Sequence, residues 1–196
     1  MSKIEIHPPD SFHASLSREN FDIDKFMGKW HVLHSSLPLW KNKKDVTITY
    51  TPLGSVDPSS TPSDDPIRFN DIVEYRSASS TSSPPSTRSR IEGIDTLQPP
   101  PKDAPDGYRP AASYKWRGKG WLMIASSKWQ VLGYGDDWAV TYFSATLFTP
   151  AGIDIYSRSE GGVSKKLYEN IVSQLTSGGG EMQKLAESLF EVRCGD

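Results

Sequence analysis

The sequence predicts an all-β protein, either a barrel or a sandwich, with helices only at its C-terminal end. The run 45–51 alternates apolar and polar residues and is the clearest strand pattern in the chain. Residues 163–192 instead repeat apolar residues at helical spacing, with a stop at the three glycines 178–180. Further strand patterns, with turn residues and no helical pattern between them, lie at 112–117, 121–126, 128–134, 138–144 and 153–157.

Composition indicates one globular domain over residues 1–196. The chain has a net charge of -2 and a pI near 6.1, which gives no electrostatic reason to expect nucleic acid or an anionic membrane as a partner. The N-terminal residues lack the apolar run of a secretory signal, and no segment is apolar for long enough to span a bilayer. Cys194 is the only cysteine, so no intrachain disulfide can form. We therefore expect a cytoplasmic protein, monomeric or weakly homodimeric.

The first half of the chain has long polar connections between its strands. Residues 1–19 are expected to be an extended lead-in, because the Pro8-Pro9 pair prevents helix formation. The stretches 77–89 and 97–110 are rich in Pro and Ser and are expected to be mobile hairpin loops, since neither flanking region could fold alone. A short helical turn is expected within 20–27, and strands are expected at 30–36, 45–51, 67–76 and 90–95.

Period-two alternation predicts which side chains face the interior. Trp30, Val32 and His34 share one face of the first strand, whereas His31 points the other way, so a metal pair from the two histidines is not expected. In the same way Val46, Ile48 and Tyr50 are expected to face inward from the second strand. On the third strand Phe69, Asp71, Val73 and Tyr75 share a face, with Asp71 either at the rim or a polar group inside.

Three stretches, in this order and near this spacing, resemble the lipocalin family. They are Gly28-Lys29-Trp30 at the start of the first strand, Asp137-Trp138 after a turn, and Arg158 after the last strand. The resemblance implies an eight-stranded antiparallel up-and-down β-barrel with C-terminal helices, and it implies that Arg158 packs across the Trp30 indole on the closed floor. Trp138 stands where the family usually has Tyr, and the family's export signal and cysteine pair are missing. Intracellular microbial or fungal-type members are therefore the better comparison.

No sequence motif supports metal hydrolysis, thiol redox chemistry or nucleotide binding, so we expect no metal and no cofactor. The aromatic content is high, with six Trp and eight Tyr, and about half of these residues are explained by core packing alone. An eight-stranded barrel can also enclose one small ligand. Aromatic walls would suit a flat, unsaturated ligand that carries a few oxygens.

Two functions fit this pattern. The first is binding of a small hydrophobic molecule inside the barrel. Leu37, Leu39 and Trp40 could then form a lid over the ligand, and the alternative for Trp40 is that it simply packs on the rim.

The second function is that of a cofactor-independent cyclase or isomerase that folds a polyene or polyketide in natural-product biosynthesis. The resemblance to some intracellular lipocalin-like proteins suggests it. Its candidate catalytic residues are His34, Tyr50, Asp71 and Tyr142. The candidate ligand-binding residues are Trp40, Tyr50, Phe69, Tyr75, Trp116, Met123, Trp129 and Tyr142.

Overall fold

Eight antiparallel strands form a closed barrel, as the resemblance predicted. The computed structural model describes residues 4–54, 67–79, 88–120, 126–147 and 149–195. Each strand pairs with the next, and β1 pairs with both β2 and β8, which closes the barrel. The strands are β1 (Gly28–Ser35), β2 (Lys43–Pro52), β3 (Arg68–Ser77), β4 (Ser89–Leu97), β5 (Ser113–Gly118), β6 (Ser126–Tyr134), β7 (Trp138–Phe143) and β8 (Gly152–Ser157).

Three helices flank the barrel. The short α1 (Ile23–Phe26) precedes β1 and is capped by Asp22, whose side chain accepts a hydrogen bond from the Lys25 amide. After the barrel come α2 (Lys165–Ser177), capped by Ser164, and α3 (Gly180–Glu187). The predicted helical region thus contains two helices, separated by Gly178 and Gly179.

A ninth strand, β9 (Phe190–Glu191), extends the sheet beside β1 and was not predicted. It is two residues long, too short for alternation to reveal. Single turns of 3-10 helix lie at Ala14–Leu16 and at Pro38–Trp40, the latter within the connection from β1 to β2.

The apolar residues form two cores, one inside the barrel and one outside it. The inner core includes Trp30, Tyr50, Phe69 and Trp129. The outer core lies where α2 and α3 cover β6 to β8, and it includes Ile153 and Ile155 of β8. Because side chains alternate along a strand, Asp154 points inward between those isoleucines and Tyr156 points inward after them. The barrel interior therefore contains a buried carboxyl group and a buried phenol on β8.

The N-terminal residues and the connection 98–112 pack against the barrel and against each other. The amide of His7 donates to the carbonyl of Leu132 at 2.9 Å, which places the segment along β6. Arg109 forms an ion pair with Glu19 at 2.7 Å, and Ser17 makes an isolated bridge to Pro110. The extended lead-in thus contains a 3-10 turn and fixed contacts. Mobility of the 97–110 loop stays a prediction, and the central part of the 77–89 loop lies outside the described residues.

None of the helices in the described ranges is both long enough and apolar enough to cross a bilayer.

Candidate functional site

Two aspartates on neighbouring strands meet inside the barrel. Asp71 of β3 lies opposite Tyr50 of β2 and Gly93 of β4, and Asp95 lies two residues further along β4 on the same face. Gly93 has a specific role here, because a Cβ at that position would lie 2.1 Å from Nε1 of the Trp116 indole. The missing side chain lets the indole lie over the backbone beside the two carboxyl groups.

The two carboxyl groups share one low-dielectric environment. Burial raises the pKa of Asp71 to about 7, and a hydrogen bond with Asp95 offsets part of that effect. Burial and the neighbouring Asp71 charge raise the pKa of Asp95 well above its usual value. Nε1 of Trp129 donates to Oδ1 of Asp95 at 2.7 Å and favours its charged form. Two like charges this close cannot both be stable, so the pair retains a proton at neutral pH.

Hydroxyl groups of three strands complete this polar cluster. The Tyr156 hydroxyl lies near Tyr50 and Thr141, and burial raises its pKa well above the usual value. Burial does the same for Tyr50, to which Tyr156 and Asp71 add smaller contributions. We define the interior polar cluster as Asp71, Asp95, Thr141 and Tyr156.

Four side-chain oxygens of the interior polar cluster have only poorly aligned partners, which are other polar groups of the interior. The atoms are Oδ1 of Asp71, Oδ2 of Asp95, Oγ1 of Thr141 and Oη of Tyr156, and none of them has a hydrogen-bond partner of normal geometry among the described residues. Asp71 still lies within reach of Asp95, and Tyr156 within reach of Tyr50 and Thr141. Most buried polar atoms in proteins are paired, because an unpaired one costs about 1 to 3 kcal/mol. Four in one barrel therefore indicate a site whose polar partners come from a ligand or from water.

A third buried aspartate anchors the loop at the open end. Asp154 accepts a hydrogen bond from the Ser35 hydroxyl at 2.5 Å and from Nε1 of Trp40 at 3.2 Å. Burial raises the pKa of Asp154 to about 7, and these two hydrogen bonds partly oppose the rise. Trp40, one of the predicted lid residues, is thereby buried and fixed at the barrel mouth, 6.4 Å from the Tyr75 ring.

The predicted ligand-binding aromatics fall into two groups. Tyr50, Phe69 and Trp129 are fully buried and pack with Phe26 and Tyr114, so they fill the closed half of the barrel. Tyr75 and Trp116 are only half-buried, as are Ile91 and Phe143. Tyr75 lies near Trp40 at the open end, and Trp116 lies opposite Asp95, beside the interior polar cluster. Met123, also predicted to bind ligand, lies outside the described residues.

The prediction that His34 lines the interior is wrong. The pairing of β1 with β8 shifts register between Val32 and His34, so a β-bulge interrupts the alternation on which the prediction relied. The His34 ring instead stacks on Tyr168 of α2 at 4.1 Å, and burial lowers its pKa. A bulge of this kind leaves no clear signal in a single sequence.

Tyr142 also lies outside the barrel. It belongs to the outer core beneath α2 and α3, where Val140 and Ile153 are its neighbours in the sheet and the core. Thr141, the residue before it, occupies the inward position. Of the four candidate catalytic residues, the interior thus contains Tyr50 and Asp71.

Asp95 and Asp154 are site residues that the sequence reading missed. Asp95 lies two residues from Gly93 and from the half-buried Leu97, which give alternation little to work with. Strand β8 is buried on both faces, with Ile153 and Ile155 on the side opposite Asp154, so a period-two pattern does not assign Asp154 to the interior either.

The closed floor contains the contact that the resemblance implied. The Arg158 guanidinium carbon lies 3.4 Å from the centre of the Trp30 ring. The same group donates hydrogen bonds to four carbonyl oxygens, those of Lys25, Phe26, Met27 and Lys29, at 2.6 to 3.1 Å. Gly28 has a φ of 91°, and a Cβ there would lie 3.5 Å from Nη1 of Arg158.

The turn that precedes β7 completes the floor. The Arg158 amide donates to the carbonyl of Asp137 at 3.0 Å, and Trp138 covers Gly135, where a Cβ would lie 2.3 Å from the indole nitrogen. Trp138 belongs to the outer core, so its indole stabilises the turn from outside the barrel.

Two surface grooves lie on the outside of the barrel. One, of about 450 Å³, is bordered by Arg68, Thr96 and Arg117, which alternate with the inward residues of β3 to β5. The other, of about 300 Å³, lies between Arg18, Arg109 and the prolines 99–100. Neither is bordered by a residue of the interior polar cluster.

Comparison with solved structures agrees with this geometry. Insecticyanin from the tobacco hornworm Manduca sexta superimposes with a TM-score of 0.57 at 16% identity, covering 98% of this chain and 90% of that one. The tryptamine complex of the amine binding protein of Rhodnius prolixus gives 0.53 at 12% identity, covering 96% and 86%. The siderocalin Ex-FABP gives 0.51 at 16% identity, covering 88% and 95%, and all three are lipocalins.

The chain has the lipocalin fold. At these identities the likeness concerns the arrangement of strands and helices. No family model and no curated protein matches the sequence. The microbial or fungal-type character of this lipocalin fold stays a prediction.

Proposed function

We propose that the chain binds one small, largely aromatic or unsaturated molecule in the open half of the barrel. The observation that supports this proposal most is the interior polar cluster, whose four oxygens lack a well-aligned hydrogen bond within the described ranges and are surrounded by aromatic side chains. A ligand with a flat apolar body and one polar end would bury its body against Tyr75 and Trp116 and pair its polar end with the cluster.

The charge of the cluster favours a ligand that donates hydrogen bonds. Asp71 and Asp95 are acceptors when ionised, and no cationic group contributes to the raised pKa of either carboxyl. A protonated amine would supply donors and a compensating charge, and aromatic walls also favour a cation. Two of the similar structures are amine-binding proteins, one of them a tryptamine complex. A neutral oxygenated ligand remains compatible, because a protonated carboxyl donates a hydrogen bond to an oxygen.

A fluorescence titration tests this proposal. Trp116 and Trp129 border the cluster, so tryptophan emission reports on occupancy. Aromatic amines without an indole ring, and neutral unsaturated analogues, are titrated into wild type, Asp71→Asn and Tyr142→Phe. We expect Asp71→Asn to weaken amine binding at least about tenfold, because a buried ion pair is lost, while Tyr142→Phe on the outer face leaves it unchanged. Equal affinities for all three proteins would contradict the placement of the ligand.

The pH dependence of binding sharpens the same test. Because burial raises the pKa of Asp71 to about 7, the carboxylate forms only as the pH rises through neutrality. Amine affinity is therefore expected to increase from pH 5.5 to pH 8. A neutral ligand that accepts a hydrogen bond from the protonated carboxyl would show the opposite trend.

A second function, a cyclase or isomerase acting on a polyene or polyketide, is favoured by one specific observation. A carboxyl pair that holds one proton near neutral pH is suited to general acid or base catalysis. Asp71 would donate or accept the proton while the aromatic walls fold the substrate and exclude water.

Binding and product formation, measured separately on the same proteins, distinguish an enzyme from a protein that only carries its ligand. Isomers have equal mass, so products are separated by chromatography before mass detection. If Asp71→Asn still binds a polyene substrate but forms no rearranged product that wild type forms, the enzyme is supported. Binding by wild type with no product would favour the carrier.

A further inference from the structure

Two histidines and a glutamate come together on the outside of the barrel, far from the interior polar cluster. Glu5, His7 and His13 are half-buried, and one potential ligand atom from each lies within 4.8 Å of the other two. They are spread over nine residues of the N-terminal segment, at a spacing that matches no common metal motif, and the sequence predicted no metal.

The fold holds this segment in place from both sides. The His7 amide donates to the Leu132 carbonyl of β6 at 2.9 Å, and the Ile6 amide donates to Oε1 of Gln174 in α2 at 3.1 Å. Further on, the Asp10 amide donates to Oε1 of Gln130 at 2.9 Å. The three side chains are therefore arranged by the folded domain rather than by a free terminus, which lowers the entropy lost when they bind a common partner.

The two imidazole rings point toward one position. They stack with centroids 3.6 Å apart and planes inclined by 19°. Nε2 of His7 lies 3.0 Å and Nδ1 of His13 lies 2.9 Å from the same atom, the Ser15 hydroxyl oxygen. Nδ1 of His13 also accepts a hydrogen bond from the Ser15 amide at 3.3 Å. The ring nitrogens thus already converge on polar atoms of one residue, as ligand atoms around a common partner would.

We propose that Glu5, His7 and His13 form a binding site for a divalent transition metal such as Zn²⁺. Imidazole nitrogen and carboxylate oxygen are ligands that Zn²⁺ accepts, and three protein ligands leave a position for water. Bonds of about 2.0 to 2.2 Å place the ligand atoms of a tetrahedral site about 3.3 Å apart, so small side-chain rotations complete the geometry. The Ser15 hydroxyl then becomes an outer hydrogen-bond partner of a coordinating ring.

Calorimetric titration of Zn²⁺ tests the site in the full chain. We expect one equivalent to bind wild type and the control His31→Ala, whose ring lies on β1 away from Glu5. Loss of an outer partner alone typically weakens a metal site about 10- to 100-fold, so His7→Ala and His13→Ala should each weaken binding by more than about tenfold. Glu5→Gln should weaken it as well, since Gln supplies no charge. Unchanged binding in both histidine variants would overturn the proposal.

A second measurement does not depend on substitution. The chain has four histidines, which give four separate ring signals in proton NMR spectra. Substoichiometric Cu²⁺ broadens protons close to it, so the signals of His7 and His13 should disappear before those of His31 and His34. Equal broadening of all four signals would show nonspecific binding and contradict the site.

Discussion

The closed floor and the middle of the barrel differ in how their buried polar groups are paired. On the floor, Arg158 covers the Trp30 indole and donates to four carbonyl oxygens, and Nε1 of Trp30 donates to the Phe26 carbonyl at 2.8 Å. In the middle, the four oxygens of the interior polar cluster have no such partners among the described residues. Both regions lie in one barrel and use the same alternation of side chains.

This difference separates stability from function. A region whose polar groups are all paired contributes to folding and is costly to alter. A region with unpaired buried carboxyls reduces stability, and proteins keep such groups mainly where they bind or react. Substitutions on the floor are therefore expected to lower the free energy of unfolding, whereas neutral substitutions in the cluster are expected to raise it and impair binding.

The largest expected effect is that of Trp30→Ala on the floor. The side chain is 1% exposed and contacts Phe26, Tyr156 and Arg158. Truncation of a buried aromatic residue leaves a cavity and typically costs about 3 to 5 kcal/mol. Urea unfolding followed by circular dichroism measures the loss. A midpoint equal to that of wild type would show that the floor contributes little to stability.

Arg158→Lys tests the same region with a smaller change in structure than Trp30→Ala. Lysine keeps the positive charge but loses the planar group that stacks on the indole and reaches four carbonyls at once. We expect a loss of about 1 to 2 kcal/mol, smaller than for Trp30→Ala because lysine still donates hydrogen bonds. Arg193→Lys near the C-terminus is the control and should unfold at the wild-type urea concentration. An effect of Arg158→Lys no larger than that of the control would refute the stacking role.

Asp71→Asn is expected to change stability in the opposite direction. The folded pKa of Asp71 is raised to about 7, so its contribution is fully present below the unfolded value near pH 4 and is lost as the pH rises toward 7. Asn stays neutral and avoids that loss. The variant should therefore be more stable than wild type by up to about 4 kcal/mol at pH 8, with little difference at pH 4.

Asp136→Asn is the matched control for this pH experiment. Asp136 is 85% exposed, pairs with Lys25 on the surface and loses the same charge on substitution. Thermal unfolding of wild type and both variants between pH 4 and pH 8 gives the comparison. A parallel pH profile for Asp71→Asn and wild type would mean that the interior carboxyl is ionised without penalty.

How far the sequence predicts this structure depends on how regular each strand is. The pairing of β3 with β4 has no register shift, and β2 alternates from Val46 to Tyr50 beyond a shift between Lys44 and Thr47, so Tyr50 and Phe69 face the interior as alternation predicted. Alternation left Asp71 either at the rim or inside, and it is buried inside. The strand β1 contains a bulge after Val32, which depends on pairing with β8 rather than on the local sequence, and His34 was therefore misplaced.

Tyr142 shows a second limit. The strand β7 is apolar on both faces because α2 and α3 cover its outer side, so alternation cannot tell inside from outside there. The group of Glu5, His7 and His13 shows a third, because its three side chains meet only after the segment packs on β6 and α2.

The smallest expected effect is that of His34→Phe. This variant tests whether the outer core takes part in ligand binding. His34 stacks on Tyr168, and its Nδ1 atom is buried without a hydrogen-bond partner among the described residues. His34→Phe preserves the aromatic stack and removes that unpaired atom, so stability should change by less than about 1 kcal/mol. Since the ring lies outside the barrel, ligand titration by tryptophan fluorescence should give the wild-type affinity. A clear loss of affinity in His34→Phe, with unfolding unchanged, would show that the outer core takes part in binding and that the interior polar cluster is not the whole site.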